Sequence, residues 1–270
     1  LYEAKAAVLA AKEHCSLPVF VTMTFDEEGK LLTGGTLEAA AAVLEGLGVD
    51  ALGLNCGLGP QQMLSLTRRL RQLTSLPILV DPNAGLPREV EGRTVFDVGP
   101  EEFAGWMEEI AKAGAQALGG CCGTTPAHIA ALTARCGKLS PLPAPPCLQT
   151  VVASGMEAVS FGQGPVLIGE RINPTGKPKL KQALREKNIA YLLGEGIAQQ
   201  DAGAHVLDVN VGLPEIDEPE LMCQVIRELQ GVTPLPLQID TADPVTMEKA
   251  LRLYNGKALV NSVTAKAYSM

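Results

Sequence analysis

Three cysteines stand where thiol chemistry would need them. Cys121 and Cys122 are adjacent within Gly119-Gly120-Cys121-Cys122-Gly123-Thr124, at the end of an apolar segment, and Cys56 lies in Asn55-Cys56-Gly57 at the end of another. Zinc prefers soft thiolates in tetrahedral geometry, and a catalytic zinc keeps one of its positions for water or substrate. Three thiolates leave that position open. A small thiol bound there would lose its proton and become a nucleophile at neutral pH. Adjacent ligands are awkward for a zinc finger, but Gly119, Gly120 and Gly123 free the backbone of a turn that follows a strand. The alternative is three buried cysteines with no metal, since cysteine is commonly a small hydrophobe.

A second group is built from carboxylates and amides. Glu170 and Asn173 in Gly169–Gly176, Asp208 and Asn210 in Leu207–Gly212, Asp240 in Gln238–Thr241, and Asn261 after Val260 fall at four successive strand ends. Such groups can pair with the donor and acceptor edge of a fused heterocycle such as a pterin. Asp208 or Asp240 alone also reads as a helix cap or turn former. Four such positions on consecutive strands point to a binding site. The lysines of Lys177-Pro178-Lys179-Leu180-Lys181 could attract an anionic ligand tail or form a solvated helix start. No His/carboxylate metal pattern, Ser/His/Asp arrangement or Gly-rich phosphate loop accompanies them.

Repeated strand–helix units must position both groups. Apolar runs predict strands at Val19–Thr24, Ala51–Leu54, Ile78–Val80 and Gln116–Leu118, then Val166–Ile168, His205–Val209, Leu237–Ile239 and Ala258–Val260. Between them, 3–4 spacing predicts helices after Thr36 and Pro60, over Glu101–Ala113, and from Thr125-Pro126 to Arg135. Later helices are expected over Lys179–Ala202, Pro219–Gln230 and Asp243–Leu253. A long loop is expected through Gly85, Pro87 and Gly92, and a small hairpin over Thr150–Phe161. Residues 138–149 carry four prolines and read as an extended linker.

Alternating units imply parallel strands with right-handed crossovers, in a doubly wound sheet or a (β/α)8 barrel. Polar residues just past nearly every strand favour the barrel, whose sites gather at the carboxyl ends of its strands. The expected class is therefore α/β, with two consecutive (β/α)8 TIM-barrel domains, each only partly present. The last four βα units of the first would be followed by the first four of the second. The domains expected are 1–137 and 165–270, separated by a linker and hairpin over 138–164. Leu1 is not an initiator Met, a helical pattern is already under way at Leu1–Glu13, and Met270 follows closely on a strand. A segment of a longer chain is therefore expected.

Composition limits the partners. The 270 residues are 46% hydrophobic and 19% charged, as in a well-packed globular protein. A net charge of −8 argues against nucleic acid. No apolar run is long enough for a membrane span and no signal peptide opens the sequence. Seven cysteines, an odd number, argue against a disulfide framework and for reduced, cytoplasmic thiols. Cys15, Cys136, Cys147 and Cys223 read as ordinary core or surface residues.

Specific motifs then carry resemblances. Val21-Thr22-Met23-Thr24-Phe25, Gly53–Gly57, Val80-Asp81-Pro82-Asn83-Ala84-Gly85 and Gly119–Pro126 resemble the later half of the homocysteine S-methyltransferase barrel, over about residues 1–136. In that family the single Cys and the Cys pair bind Zn2+, which holds the homocysteine sulfur. The resemblance assigns these roles to Cys56, Cys121 and Cys122, with Thr24 and Asn55 as candidate pocket residues. The family's earlier strands, which complete the amino-acid pocket, have no counterpart here. Residues 150–270 resemble the pterin-binding barrel shared by dihydropteroate synthases and methyltetrahydrofolate:corrinoid methyltransferases. There Asp208, Asn210, Asp240 and Asn261 would contact the pterin, with Asn173 beside it.

The order of the two barrels resembles that of the cobalamin-dependent methionine synthase family. It implies methyl transfer from 5-methyltetrahydrofolate through cobalamin, on a domain or subunit outside this chain, to homocysteine. A corrinoid-dependent methyltransferase for another thiol or donor, and an inactive zinc- or folate-binding segment, are the alternatives. The segment alone is expected to be inactive.

Overall fold

The computed structural model describes residues 1–144, 146 and 149–263. Contacts divide the chain into two compact units, Leu1–Leu148 and Gln149–Met270. Cys147 and the end of the chain at Met270, both of which carry sequence expectations, lie outside the described residues, as do Pro145 and Leu148 of the proline-rich stretch. Among the described residues, no helix is long and apolar enough to cross a membrane.

The first unit begins with α1 (Tyr2–His14), followed by β1 (Phe20–Met23), α2 (Leu37–Gly46), β2 (Ala51–Asn55), α3 (Pro60–Leu73) and β3 (Ile78–Asp81). A hairpin of β4 (Arg88–Val90) and β5 (Arg93–Val95) precedes α4 (Pro100–Lys112), β6 (Ala117–Leu118) and α5 (Pro126–Cys136). Thr36 caps α2 by accepting the Ala39 N–H at 3.2 Å. Helices α3, α4 and α5 each begin on proline, whose missing N–H is no loss in a first turn.

The four long-range strands form one parallel sheet in the order β1-β2-β3-β6. Each new strand adds to the same side, so the sheet never reverses direction as a doubly wound sheet must. Sequential addition is the rule of the (β/α)8 barrel, and this unit holds four of its strands. Leu52, Leu54, Ile78 and Val80 pack against Leu66, Leu70, Phe103, Met107 and Ile110 to form the core. This packing leaves the strand ends as the available place for polar groups.

The second unit opens with the expected hairpin, β7 (Val151–Ala153) and β8 (Ala158–Ser160). There follow β9 (Ile168–Ile172), α6 (Pro178–Arg185), α7 (Ile189–Asp201), β10 (Val206–Val209), α8 (Glu218–Leu229), β11 (Leu237–Asp240), α9 (Pro244–Leu253) and β12 (Leu259–Asn261). Strands β9 to β12 form a second parallel sheet, again in chain order. The fully buried Tyr254 stitches the hairpin to this sheet. Its hydroxyl accepts the Leu237 N–H at 2.9 Å and donates to the Ala153 carbonyl at 3.1 Å.

Three elements differ from the sequence expectation. The single helix over Lys179–Ala202 is two, because Lys187 adopts φ 50° and Asn188 starts α7 by accepting the Tyr191 N–H at 3.1 Å. The loop through Gly92 contains the β4–β5 hairpin, whose Glu91 and Gly92 both have positive φ, as a type I′ turn demands. The strand expected at Val166–Ile168 lies instead at Ile168–Ile172. It carries a bulge, since Leu207 and Val209 on β10 face Gly169 and Ile172 on β9.

Candidate metal centre and heterocycle site

Beyond β2 the chain turns through Cys56 at φ 57° and Gly57 at φ 71°. A cysteine in the left-handed region needs surrounding restraint. The Cys56 N–H donates to Asp81 O at 3.0 Å, and the Leu58 N–H donates back to Cys56 O at 2.7 Å. A side chain at Gly57 would press on Thr24, whose Cγ2 lies 2.9 Å from where a Cβ would stand. Beyond β6, the Cys121 N–H reaches Pro82 O at 2.8 Å and the Ala84 N–H reaches Cys122 O at 2.9 Å. A Cβ at Gly119 would meet the Asp81 carboxylate, which would have to move aside. The Phe96 ring occupies the corresponding space at Gly123.

These turns bring the three sulfurs together. Cys56 Sγ and Cys122 Sγ are 3.6 Å apart, and Cys121 Sγ and Cys122 Sγ are 3.9 Å apart. Zinc–sulfur bonds of about 2.3 Å at tetrahedral angles place sulfurs about 3.8 Å apart, so the set fits a zinc ion. Among the described residues these three form the one group of at least three His, Cys, Asp or Glu whose ligand atoms lie within 4.8 Å of one another. Burial raises the Cys56 thiol, but the Gly57 N–H, the Cys122 and Cys121 thiols and the Asn83 amide outweigh it, leaving a net lowering. Burial and the neighbouring sulfurs push Cys121 up to about 11. Three thiolates at neutral pH therefore call for a cation among them.

Asn83, two positions beyond the end of β3, organises the centre. It is 3% exposed. Its Oδ1 accepts the Cys122 N–H at 3.1 Å, and its own N–H donates to Leu58 O at 3.0 Å. It thereby links the β2 turn, the end of β3 and the cysteine pair. A small polar residue two positions beyond a strand was the available signal. Thr24, exposed, and Asn55, half-buried and in register with Asp81, stand at the same end of the sheet as the thiols.

The second unit gathers its carboxylates and amides in the same way. Asp240 Oδ2 accepts Asn210 Nδ2–H at 3.0 Å and Asn173 Nδ2–H at 3.4 Å. Asn210 Oδ1 accepts the Gly212 N–H at 2.9 Å, and Asn173 Oδ1 accepts the Thr175 N–H at 3.0 Å, which fixes both amides. Asn261 lies in register with Asp240 on the next strand. Asp208 is buried and accepts from Gln238 Nε2. Burial, with the nearby Asp240 and Glu170 charges, raises its carboxyl to about 6 against the Gln238 and Asn173 hydrogen bonds.

Two glutamines to which the sequence assigns no role support this face. Gln199 of α7 is buried and accepts the Arg171 N–H at 2.7 Å, satisfying the bulged strand, while its amide donates to Glu195 O at 3.0 Å. Gly169 makes room for it, since a Cβ there would stand 2.6 Å from Gln199 Oε1. Gln238 is the other, in register with Asp208. A glutamine inside an apolar strand or on a buried helix face was the signal. Lys177 is taken up by its own loop, donating to Glu170 O at 2.8 Å, Glu170 Oε2 at 2.7 Å and Asn173 O at 3.1 Å.

Residues 1–136 match the family model described as Homocysteine S-methyltransferase, and residues 169–270 match that described as Pterin binding enzyme. The chain is 34% identical to a methionine synthase of Mycobacterium leprae and 32% identical to one of Mycobacterium tuberculosis. Each alignment covers 97% of this chain and 23% of the relative, so the chain spans under a quarter of their length. Among solved structures, the metallated homocysteine methyltransferase MmuM from Escherichia coli is 31% identical, with a TM-score of 0.41. That match covers 49% of this chain and 41% of the other.

Proposed function

The chain belongs to the homocysteine S-methyltransferase family through residues 1–136, and on that premise we propose that it serves methionine formation. In this reading a methyl group passes from 5-methyltetrahydrofolate to cobalamin and then to the thiolate of homocysteine, giving tetrahydrofolate and methionine. Residues 1–137 would form the thiol domain and 165–270 the pterin domain, joined through 138–164. Cobalamin would be carried by a domain or subunit outside residues 1–270. Reduced, free thiols suit a cytoplasmic setting. The observation that carries the reading is the set of three sulfurs at zinc-thiolate spacing, in a chain that also matches a pterin-binding family.

Cys56, Cys121 and Cys122 would hold Zn2+, which supplies Lewis acidity that keeps a bound thiol deprotonated at neutral pH. Asn83 orients the cysteine pair, and the left-handed turn at Cys56 aims the third sulfur at it. Thr24 and Asn55 stand beside that centre as candidate contacts for the thiol substrate. In the second unit, Asp208 and Asp240 would accept N–H groups from a pterin edge. Asn173, Asn210 and Asn261 offer amides to the same ring. Phe20, on the outer strand β1, is 60% exposed, and open sheet edges of this kind favour inactivity for the chain taken alone. Binding is therefore the better test than turnover.

Elemental analysis should find one zinc per chain, and titration with methyltetrahydrofolate should saturate at one equivalent. Cys122→Ser should lose the zinc and keep folate affinity within about twofold, since the altered sulfur lies outside the pterin-binding match. Zinc retained at full stoichiometry in that variant would remove the thiol assignment.

A further inference from the structure

Gln238 lies in the middle of β11, in Cα register with Asp208 on β10, so the two side chains project from the same face of the sheet. Its Nε2 donates to Asp208 Oδ1. Asp208 is 3% exposed and meets negative charge on both sides, from Asp240 on β11 and from Glu170 in the β9 bulge. Lys177 pairs with Glu170 from the loop after β9. Asp240 takes amide hydrogens from Asn173 and Asn210. Behind the sheet, α7 and α8 pack the apolar Leu192, Met222 and Val225.

A buried carboxylate between two others tends to take up a proton, which turns an acceptor into a donor. Gln238 opposes this by offering an N–H to the charged form. Resting on the heterocycle reading above, we propose that Gln238 is a positioning residue. Its amide holds Asp208 as an ionised acceptor, so the site selects an aminopyrimidinone edge that presents N–H donors. Asn173, which donates to Asp240 and also favours the ionised form of Asp208, then links the two acceptors into one surface.

The test is equilibrium titration of the full chain with methyltetrahydrofolate from pH 5 to pH 8.5, with circular dichroism as the check on folding. Wild-type affinity should fall as pH drops through the Asp208 titration. Gln238→Met, of similar volume but without a donor, should move that midpoint up by roughly half to one unit. Its binding should weaken about three- to tenfold at pH 5, by no more than about twofold at pH 7, and match wild type at pH 8.5. Gln238→Glu, a second variant of the same shape, should move the midpoint further. Asp208→Asn should abolish the midpoint and give the baseline for the ligand's own titration. In that background Gln238→Met should change affinity by less than about twofold.

An unmoved midpoint in both Gln238 variants, or a loss equal at every pH, would overturn the role of Gln238 while leaving the pterin site intact. Wild-type protein that binds no methyltetrahydrofolate would instead overturn the heterocycle reading, and this proposal with it.

Discussion

At the scale of single residues, the two groups differ in what holds them. The sulfurs depend on backbone turns and on one buried amide. Asn83→Ala would leave the Cys122 N–H without its acceptor and loosen one of the restraints on the pair. Loss of such a supporting hydrogen bond typically costs about ten- to a hundredfold in metal affinity. Chelator competition should show that drop for zinc, and an unchanged affinity would count against the positioning role. Asp208 illustrates the electrostatic cost of a binding site. Its folded carboxyl is raised from 3.8 to about 6, so its contribution to stability is complete below the unfolded value and is lost as pH rises through the folded one. Asp208→Asn should therefore stabilise the fold at pH 7.5 by about 1–3 kcal/mol, and the gain should vanish near pH 4. Urea unfolding at the two pH values measures this, and equal differences at both would refute it.

At the scale of elements, the least legible segments are those nearest the sites. The β9 strand reads poorly because Glu170 and Arg171 break its apolar pattern, and the break is a bulge satisfied by a glutamine from α7. Gly169→Ala places a methyl group against Gln199 and should destabilise the protein by about 1–3 kcal/mol. A thermal melt provides the measurement, and Gln199→Ala in the same background should recover part of the loss by removing the clash. The helix break at Lys187 is hard to see in the sequence for a related reason. Residues with good helical spacing flank it, and only Asn188 marked a new start. The β4–β5 hairpin has the sequence signature of a loop because its charged residues show no alternation of apolar and polar faces. Helices that begin on proline after a capping or glycine residue were legible within about a residue, because first-turn chemistry is local.

At the scale of the whole molecule, two units with separate cores are joined through a stretch that has no regular element among its described residues. Lys138 is exposed immediately after α5 and before the prolines. Limited trypsin digestion should cut there early and yield fragments of residues 1–138 and 139–270, identifiable by mass. Early cuts inside either sheet would contradict the division. The α/β class, the eight strands of the two parallel sheets and the cysteine, aspartate and asparagine residues at the strand ends could all be read from the chain. Apolar runs, helical spacing and motif composition are local properties that survive without coordinates. The choice between a doubly wound sheet and a barrel was settled by strand order, which is a relation between distant segments. The sulfur spacing, the Asn83 link, the Gln199 support of the bulge and the Asp208–Gln238 pair were likewise tertiary decisions. Each depends on how adjacent strands register and which turns bend inward, and no single segment carries that information.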